Sequence, residues 1–172
     1  RFPARTHWLY AQTGFGQPSF NCPTYDEWRA LVNPQQATLV FASDYLNNPS
    51  SMFGHTFLRL DAPGQTEDTR LLAYAINFAA ETNTKNPFVF AVKGLTGGYP
   101  GLFSLMPYYE KVKEYSDMEN RDLWEYQLSL TPDEVRLLVS HLWELRSVEF
   151  PYYFLTRNCS FQLLALMEVA RP

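Results

Sequence analysis

Hydrophobic positions change their period several times along the chain, and each change predicts an element. In TYDEWRALV (24–32), Trp28, Leu31 and Val32 share one side of a short helix, with Thr24 as N-cap and Glu27 closing a capping box. ATLVFAS (37–43) predicts a strand and LNNPSS a turn. MFGHTFLRL (52–60) is strand-like, with Phe53, His55 and Phe57 on one side. The polar turn DAPGQTEDT then leads into a strand over LLAYAINFA (71–79). FVFAVK (88–93) predicts a further strand, followed by the glycine-rich GLTGGYPGLF. WEYQLSL (124–130) alternates, with Trp124, Tyr126, Leu128 and Leu130 facing one way.

The strongest helix pattern is TPDEVRLLVSHLWELR. Thr131 is its N-cap, Pro132 takes the first helical position and Glu134 completes a capping box. Val135, Leu138, Leu142 and Leu145 form its apolar stripe. A second helix is predicted from about Asn158 to Ala170. Ahead of both, YYEKVKEYSDMENRDLWEY (108–126) mixes charges closely and reads as a solvated helix and loop. Its Asp117, Glu119 and Asp122 do not make a metal set. Helices at the ends of an antiparallel sheet give an α+β architecture. No repeat and no low-complexity linker divides the 172 residues, so one domain is expected across 1–172. The abrupt ends, RFPARTHWLY and MEVARP, read as those of a piece of a longer, processed polypeptide.

Composition narrows the function. The chain is 46% hydrophobic and 16% aromatic, with 13 Phe, 11 Tyr and 4 Trp, enough rings to build a core and to line a cleft for apolar ligands. A formal charge of −4, without a Lys/Arg cluster, argues against nucleic acid as a partner. The longest apolar run, LLAYAINFAA, is too short to span a bilayer. Two Cys and three His, with no C-x-x-C, H-E-x-x-H, G-x-S-x-G or phosphate-binding loop, leave no support for zinc and call for no cofactor.

What remains is Cys159. Asn158 is a favoured N-cap residue, which puts Cys159 in the first turn of a helix. The helix dipole and first-turn N–H groups favour a thiolate there, and the same N–H groups suit a developing oxyanion. His55 is the candidate base, with Gly54 beside it leaving room for an approaching group. Asn77 is the candidate to hold the imidazole, because it shares a strand face with the small Ala73, Ala75 and Ala79. Each also has a structural reading: Cys159 as packing, Asn158 as a cap only, His55 as a hydrogen-bonded core residue. The weightiest alternative is a Cys22–Cys159 disulfide, which would remove the nucleophile. Against it, Cys22 lies near the start of the chain, where its partner could be upstream of this sequence. His7 and His141 are weak candidates, one near the chain start and the other inside a well-patterned helix.

The order of His on a strand, a polar residue on the next strand, and Asn158-Cys159-Ser160-Phe161 opening a late helix resembles circularly permuted papain-like enzymes. These include the lecithin:retinol acyltransferase group and permuted relatives of NlpC-type peptidases. The sequence departs from retinoid-type members, which often carry Glu-His where Ser160-Phe161 stand, and has Asn77 where a second His is common. A longer series of motifs covers nearly the whole chain. NNPSSMFGHTFLRLD, LLAYAINFAAE, KGLTGGYPGLFSLMPYYEKVKEYSDMENRDLWEYQL and FLTRNCSFQLL together resemble the Lnb-type N-terminal periplasmic domain of bacterial envelope proteins. Members linked to a function are lipoprotein N-acyltransferases. The resemblance implies Cys159 as nucleophile, His55 as base and a periplasmic, membrane-associated location.

The expectation is therefore a thiol acyltransferase that takes a fatty acyl chain from a membrane phospholipid and passes it through a Cys159 thioester to an amine, with a lipoprotein N-terminus as one candidate acceptor. His55 and Asn77 complete the catalytic set. The Cys159 backbone N–H, with Asn158 or Ser51, is expected to stabilise the oxyanion. VFAVKGLTGGYPGLFSLMPYY is either a loop that holds an acyl chain or meets a bilayer surface, or a glycine-bent core segment. Hydrolysis by the same residues, as a phospholipase or cell-wall peptidase or amidase, is the nearest rival. A non-catalytic module binding lipid or a partner is the other.

Overall fold

Six strands form one antiparallel sheet in the computed structural model, whose described residues are 2–14, 22–43, 54–84, 86–118 and 121–171. In chain order the elements are α1 (Pro3–Thr13), α2 (Pro23–Val32), β1 (Gln36–Ala42), β2 (His55–Asp61), β3 (Tyr74–Ala80), α3 (Pro87–Thr96), β4 (Tyr99–Pro107), α4 (Tyr108–Val112), β5 (Leu123–Gln127), α5 (Pro132–Leu145), β6 (Phe150–Tyr152) and α6 (Cys159–Ala170). A short 3-10 turn precedes β3 and a π-helical turn follows α4. The strand order is β5-β1-β2-β3-β4-β6, so β2 and β3 lie at the centre of the sheet. The architecture is α+β.

Both faces of the sheet are covered, which explains why β2 is buried almost along its whole length. Successive side chains on a strand point to opposite faces. Leu58 and Leu60 of β2, with Ile76 and Phe78 of β3, therefore face one way and pack against Val135, Leu138 and Leu142 of α5 and Leu163 and Leu166 of α6. Phe57 of β2 and Ala75 of β3 face the other way and pack with Val40, Ala42, Tyr108 and Tyr115. On that second face Arg59 is buried in a polar cluster. It pairs with Asp61 at 2.8 Å and with Glu125, and Glu125 also accepts the Tyr108 hydroxyl at 2.6 Å.

Several expectations need correction. Residues 88–93 form no strand; they lie inside α3. Asn86 accepts from the backbone N–H groups of Phe88 and Val89 at 3.0 and 3.2 Å, Pro87 sits in the first turn, and Gly97 ends the helix at φ 76°. Those start and stop signals outweigh the strand preference of Phe and Val. The glycine-rich stretch after it is not a loop either: its first residues close α3 and its last enter β4. Residues 108–115 are not solvated throughout: Tyr108, Lys111 and Tyr115 are buried, and the two tyrosines pack on the second face. The 24–32 helix starts one residue earlier than expected, with Pro23 in the first turn and Cys22 at the cap, and Thr24 makes no cap. Trp124 and Tyr126 are more than half exposed on β5.

Other elements follow the pattern closely. In α5 the Thr131 hydroxyl accepts from Glu134 N–H and the Glu134 carboxylate accepts from Thr131 N–H, the reciprocal pair expected of a capping box. Helix α1, for which the pattern gave no expectation, is held by the buried Glu144 of α5. Its carboxylate accepts from the N–H groups of Ala4 and Arg5 at 2.8 and 3.1 Å. The LNNPSS turn and Phe53 lie outside the described residues.

Candidate active site

Helix α6 lies across β2 and β3, and its first turn meets the start of β2. Two local features set that first turn. Tyr153 and Arg157 exchange backbone hydrogen bonds across a tight turn, which doubles the chain back after β6. Asn158, in an extended conformation, then caps α6 through its Oδ1, which accepts from Phe161 N–H at 3.3 Å. Ser160 is tied to β2 by a 2.9 Å hydrogen bond between its hydroxyl and that of Thr56.

This arrangement brings Cys159, His55 and Asn77 together. The His55 ring lies beside the Cys159 thiol, near enough to lower it by hydrogen bonding and charge. On the far side of the ring, Nε2 lies 2.6 Å from Asn77 Oδ1. A carbonyl oxygen can only accept, so Nε2 carries a proton and Nδ1 is left as the basic nitrogen. His55 and Asn77 reach each other because residues 55 and 57 of β2 and 75 and 77 of β3 share the second face of the sheet. Phe57 and Tyr115 flank the imidazole, with ring centroids 6.2 and 5.9 Å away. Cys159 and Asn77 are each only 5% exposed.

The surroundings favour the thiolate. Burial pushes the Cys159 thiol up, but the hydrogen bond to His55 and its charge, the Thr56 backbone and the Ser160 hydroxyl more than offset this. The thiol is held at about 7. A substantial thiolate fraction is therefore present near neutral pH.

Tyr152, the last residue of β6, escaped the reading of the sequence. Its hydroxyl oxygen accepts from the Cys159 backbone N–H at 3.3 Å. Burial and the neighbouring Cys159 push its phenol above the usual range, so it keeps its proton at neutral pH and remains a donor beside the sulfur. The signal available is the aromatic run FPYYF shortly ahead of the Asn-Cys pair.

The oxyanion donors expected from sequence are placed differently. The Cys159 N–H is engaged by Tyr152. Asn158 uses Oδ1 for the helix cap and Nδ2 for the Phe154 carbonyl at 3.2 Å, so in this arrangement it shapes the turn. Ser51 lies outside the described residues. Gly54 does not leave open room beside His55: a Cβ there would stand 2.6 Å from the Phe41 ring, and its φ of 78° is one L side chains rarely adopt. Gly54 is needed for the turn into β2.

Both cysteines are free thiols, which removes the Cys22–Cys159 disulfide. Cys22 and His7 line a separate cavity of about 850 Å³ with Tyr25, Arg29 and Ser140, and His141 lies 3.6 Å from Glu144. None of these approaches the Cys159 site. Among the described residues no group of His, Cys, Asp and Glu gathers as a metal site, and no helix is long and apolar enough to cross a membrane.

A family model for the Lnb N-terminal periplasmic domain matches residues 24–172. The chain belongs to that family. The match takes in His55, Asn77, Tyr152 and Cys159 and leaves out α1, and it places the domain in the periplasm. Neither the comparison with curated proteins nor that with solved structures gives a match.

Proposed function

We propose that this Lnb-family domain is a thiol acyltransferase of circularly permuted papain-like type, acting on phospholipid at the membrane surface. The observation that carries the reading is the Cys159–His55–Asn77 chain, with its 2.6 Å His55–Asn77 contact and a thiol held at about 7. A binding module has no use for a nucleophile poised in this way.

In the first step Nδ1 of His55 takes the thiol proton, and the thiolate forms a C–S bond to the ester carbonyl of a phospholipid. Negative charge gathers on the carbonyl oxygen, and the Tyr152 hydroxyl, which accepts from the Cys159 N–H and keeps its own proton to give, is the donor nearest the sulfur. Collapse breaks the ester C–O bond, and the imidazolium returns its proton to the departing alkoxide of the lysophospholipid. In the second step an amine attacks the thioester, His55 accepts the amine proton, and the thiol is regained as the C–S bond breaks. A lipoprotein N-terminal amine is the acceptor that this chemistry suits.

Hydrolysis differs only in using water for the second attack, and one experiment separates the outcomes. Mass spectrometry of the protein incubated with phospholipid should show a fatty-acyl adduct that is absent from Cys159→Ala. Adding an N-terminal Cys lipopeptide should discharge the adduct to N-acyl peptide. Release only as free fatty acid would make the domain a phospholipase, and no adduct with any phospholipid would sink the acyl-enzyme mechanism.

A further inference from the structure

Helix α3 is apolar nearly throughout yet lies on the surface. Of its ten residues, PFVFAVKGLT, only Gly94 is buried. Phe88 is 76% exposed, Val92 44% and Leu95 55%, and their spacing of four and three puts them on one face. An unpartnered stripe of this kind is uncommon on a soluble surface. Asn86 caps the start of the helix and Gly97 its end.

Its attachment to the rest of the molecule is specific. Gly94 lies against the Phe154 ring, where a Cβ would stand 2.2 Å from the ring carbons, and its carbonyl accepts from Phe154 N–H at 2.9 Å. Gly97 lies equally close to the Tyr153 ring. Phe154 and Tyr153 open the turn that delivers Asn158 and Cys159, and the exposed Leu155 follows directly. Two glycines thus seat the apolar helix on the segment that carries the nucleophile.

Charge is distributed to match. The chain has 18 acidic and 14 basic residues, yet segments 86–98 and 153–164 together hold Lys93 and Arg157 and no carboxylate. Both cations lean over tyrosine rings, Lys93 on Tyr99 and Arg157 on Tyr153, which leaves apolar stems beside the stripe. Apolar side chains bordered by cations, with acids excluded, complement a bilayer surface bearing anionic headgroups.

We propose that α3, with Leu155, is the surface by which this domain docks on an anionic lipid bilayer, so that the Cys159 segment faces the lipid. The assignment rests on the acyl-transfer reading for its purpose, but its test needs no turnover. In the full protein, Phe88→Trp should gain fluorescence that brominated phospholipid quenches in equimolar phosphatidylcholine–phosphatidylglycerol vesicles, with weaker quenching in phosphatidylcholine alone. Combined Phe88→Ser, Val92→Ser and Leu95→Ser substitutions should weaken vesicle partition of the domain about a hundredfold, while alkylation of Cys159 by iodoacetamide keeps its rate and so reports an intact fold. An unquenched Trp at position 88 in a vesicle-bound protein would overturn the docking surface and leave acyl transfer standing if the Cys159 adduct still forms. Quenching without an adduct would keep the surface and remove the transferase. If the triple substitution instead changes the sedimentation of the protein without lipid, the stripe is an interface between copies and the proposal fails.

Discussion

His55 and Asn77, on neighbouring strands at the centre of the sheet, are joined by a 2.6 Å contact that fixes which imidazole nitrogen is free to act as a base. In the proposed mechanism Asn77 is a positioning residue, acting on sulfur only through the ring. Asn77→Ala should lower the rate of Cys159 acylation by roughly 10² while Cys159 remains present and alkylatable. Asn77→Asp, which keeps an acceptor at the same reach, should recover much of the loss. Pre-steady-state acylation followed by intact-mass measurement checks both, and an unchanged rate in Asn77→Ala would remove the residue from the mechanism.

The thiol itself gives a pH signature. With Cys159 held at about 7, its alkylation rate by iodoacetamide should inflect near that pH. In His55→Ala the inflection should rise to about 8.5 or above, because the favourable partner is gone and burial remains. The same ionisation links to stability. A thiol with a folded value below its unfolded value favours the folded state as pH rises. The wild type should therefore gain stability relative to Cys159→Ala between pH 7 and about 8.5, and lose that gain as pH falls through 7. Paired urea titrations across this range measure it.

Tyr152→Phe keeps the ring, which stacks on Phe78 at 5.6 Å between centroids, and removes only the hydroxyl. Stability should change little. If the hydroxyl donates to the sulfur and then to the oxyanion, the thiol inflection should move up and acylation should slow by about 10². A variant that acylates at the wild-type rate would leave the Tyr152 hydroxyl a purely structural partner of the Cys159 N–H.

Gly54 marks the entry to β2, one residue before His55. Gly54→Ala should cost about 1–3 kcal/mol, because it forces an L residue to a left-handed φ and drives a Cβ into the Phe41 ring. The shift should appear in the denaturation midpoint, with a loss of activity larger than at Gly64, whose φ of 77° is similar but where a Cβ would meet nothing.

The parts of this molecule that sequence reveals well are those encoded locally. The Thr131–Glu134 capping box and the Asn158 cap each depend on side chains within a few positions of one another, and both helices begin where those residues place them. The two faces of β3 also follow from simple alternation, with Ile76 and Phe78 on one and Ala75 and Asn77 on the other. Helix α3 runs against the strand preference of its Phe and Val residues, although its Asn86-Pro87 start and Gly97 stop are in the sequence. The burial of Tyr108 and Tyr115 was hidden by intervening charges, and only the second sheet face explains it. Tyr152 was invisible for another reason: its link to Cys159 arises from the tight 153–157 turn, which has no strong turn residues at its centre.

The Thr56–Ser160 tether spans 104 positions, and the imidazole that lowers the Cys159 thiol lies the same distance back along the chain. Before those regions meet, the sulfur is an ordinary cysteine, mostly protonated at neutral pH. A polypeptide delivered to the periplasm unfolded thus travels with its reactive centre disarmed. Its lowered thiol arises only on reaching the native conformation.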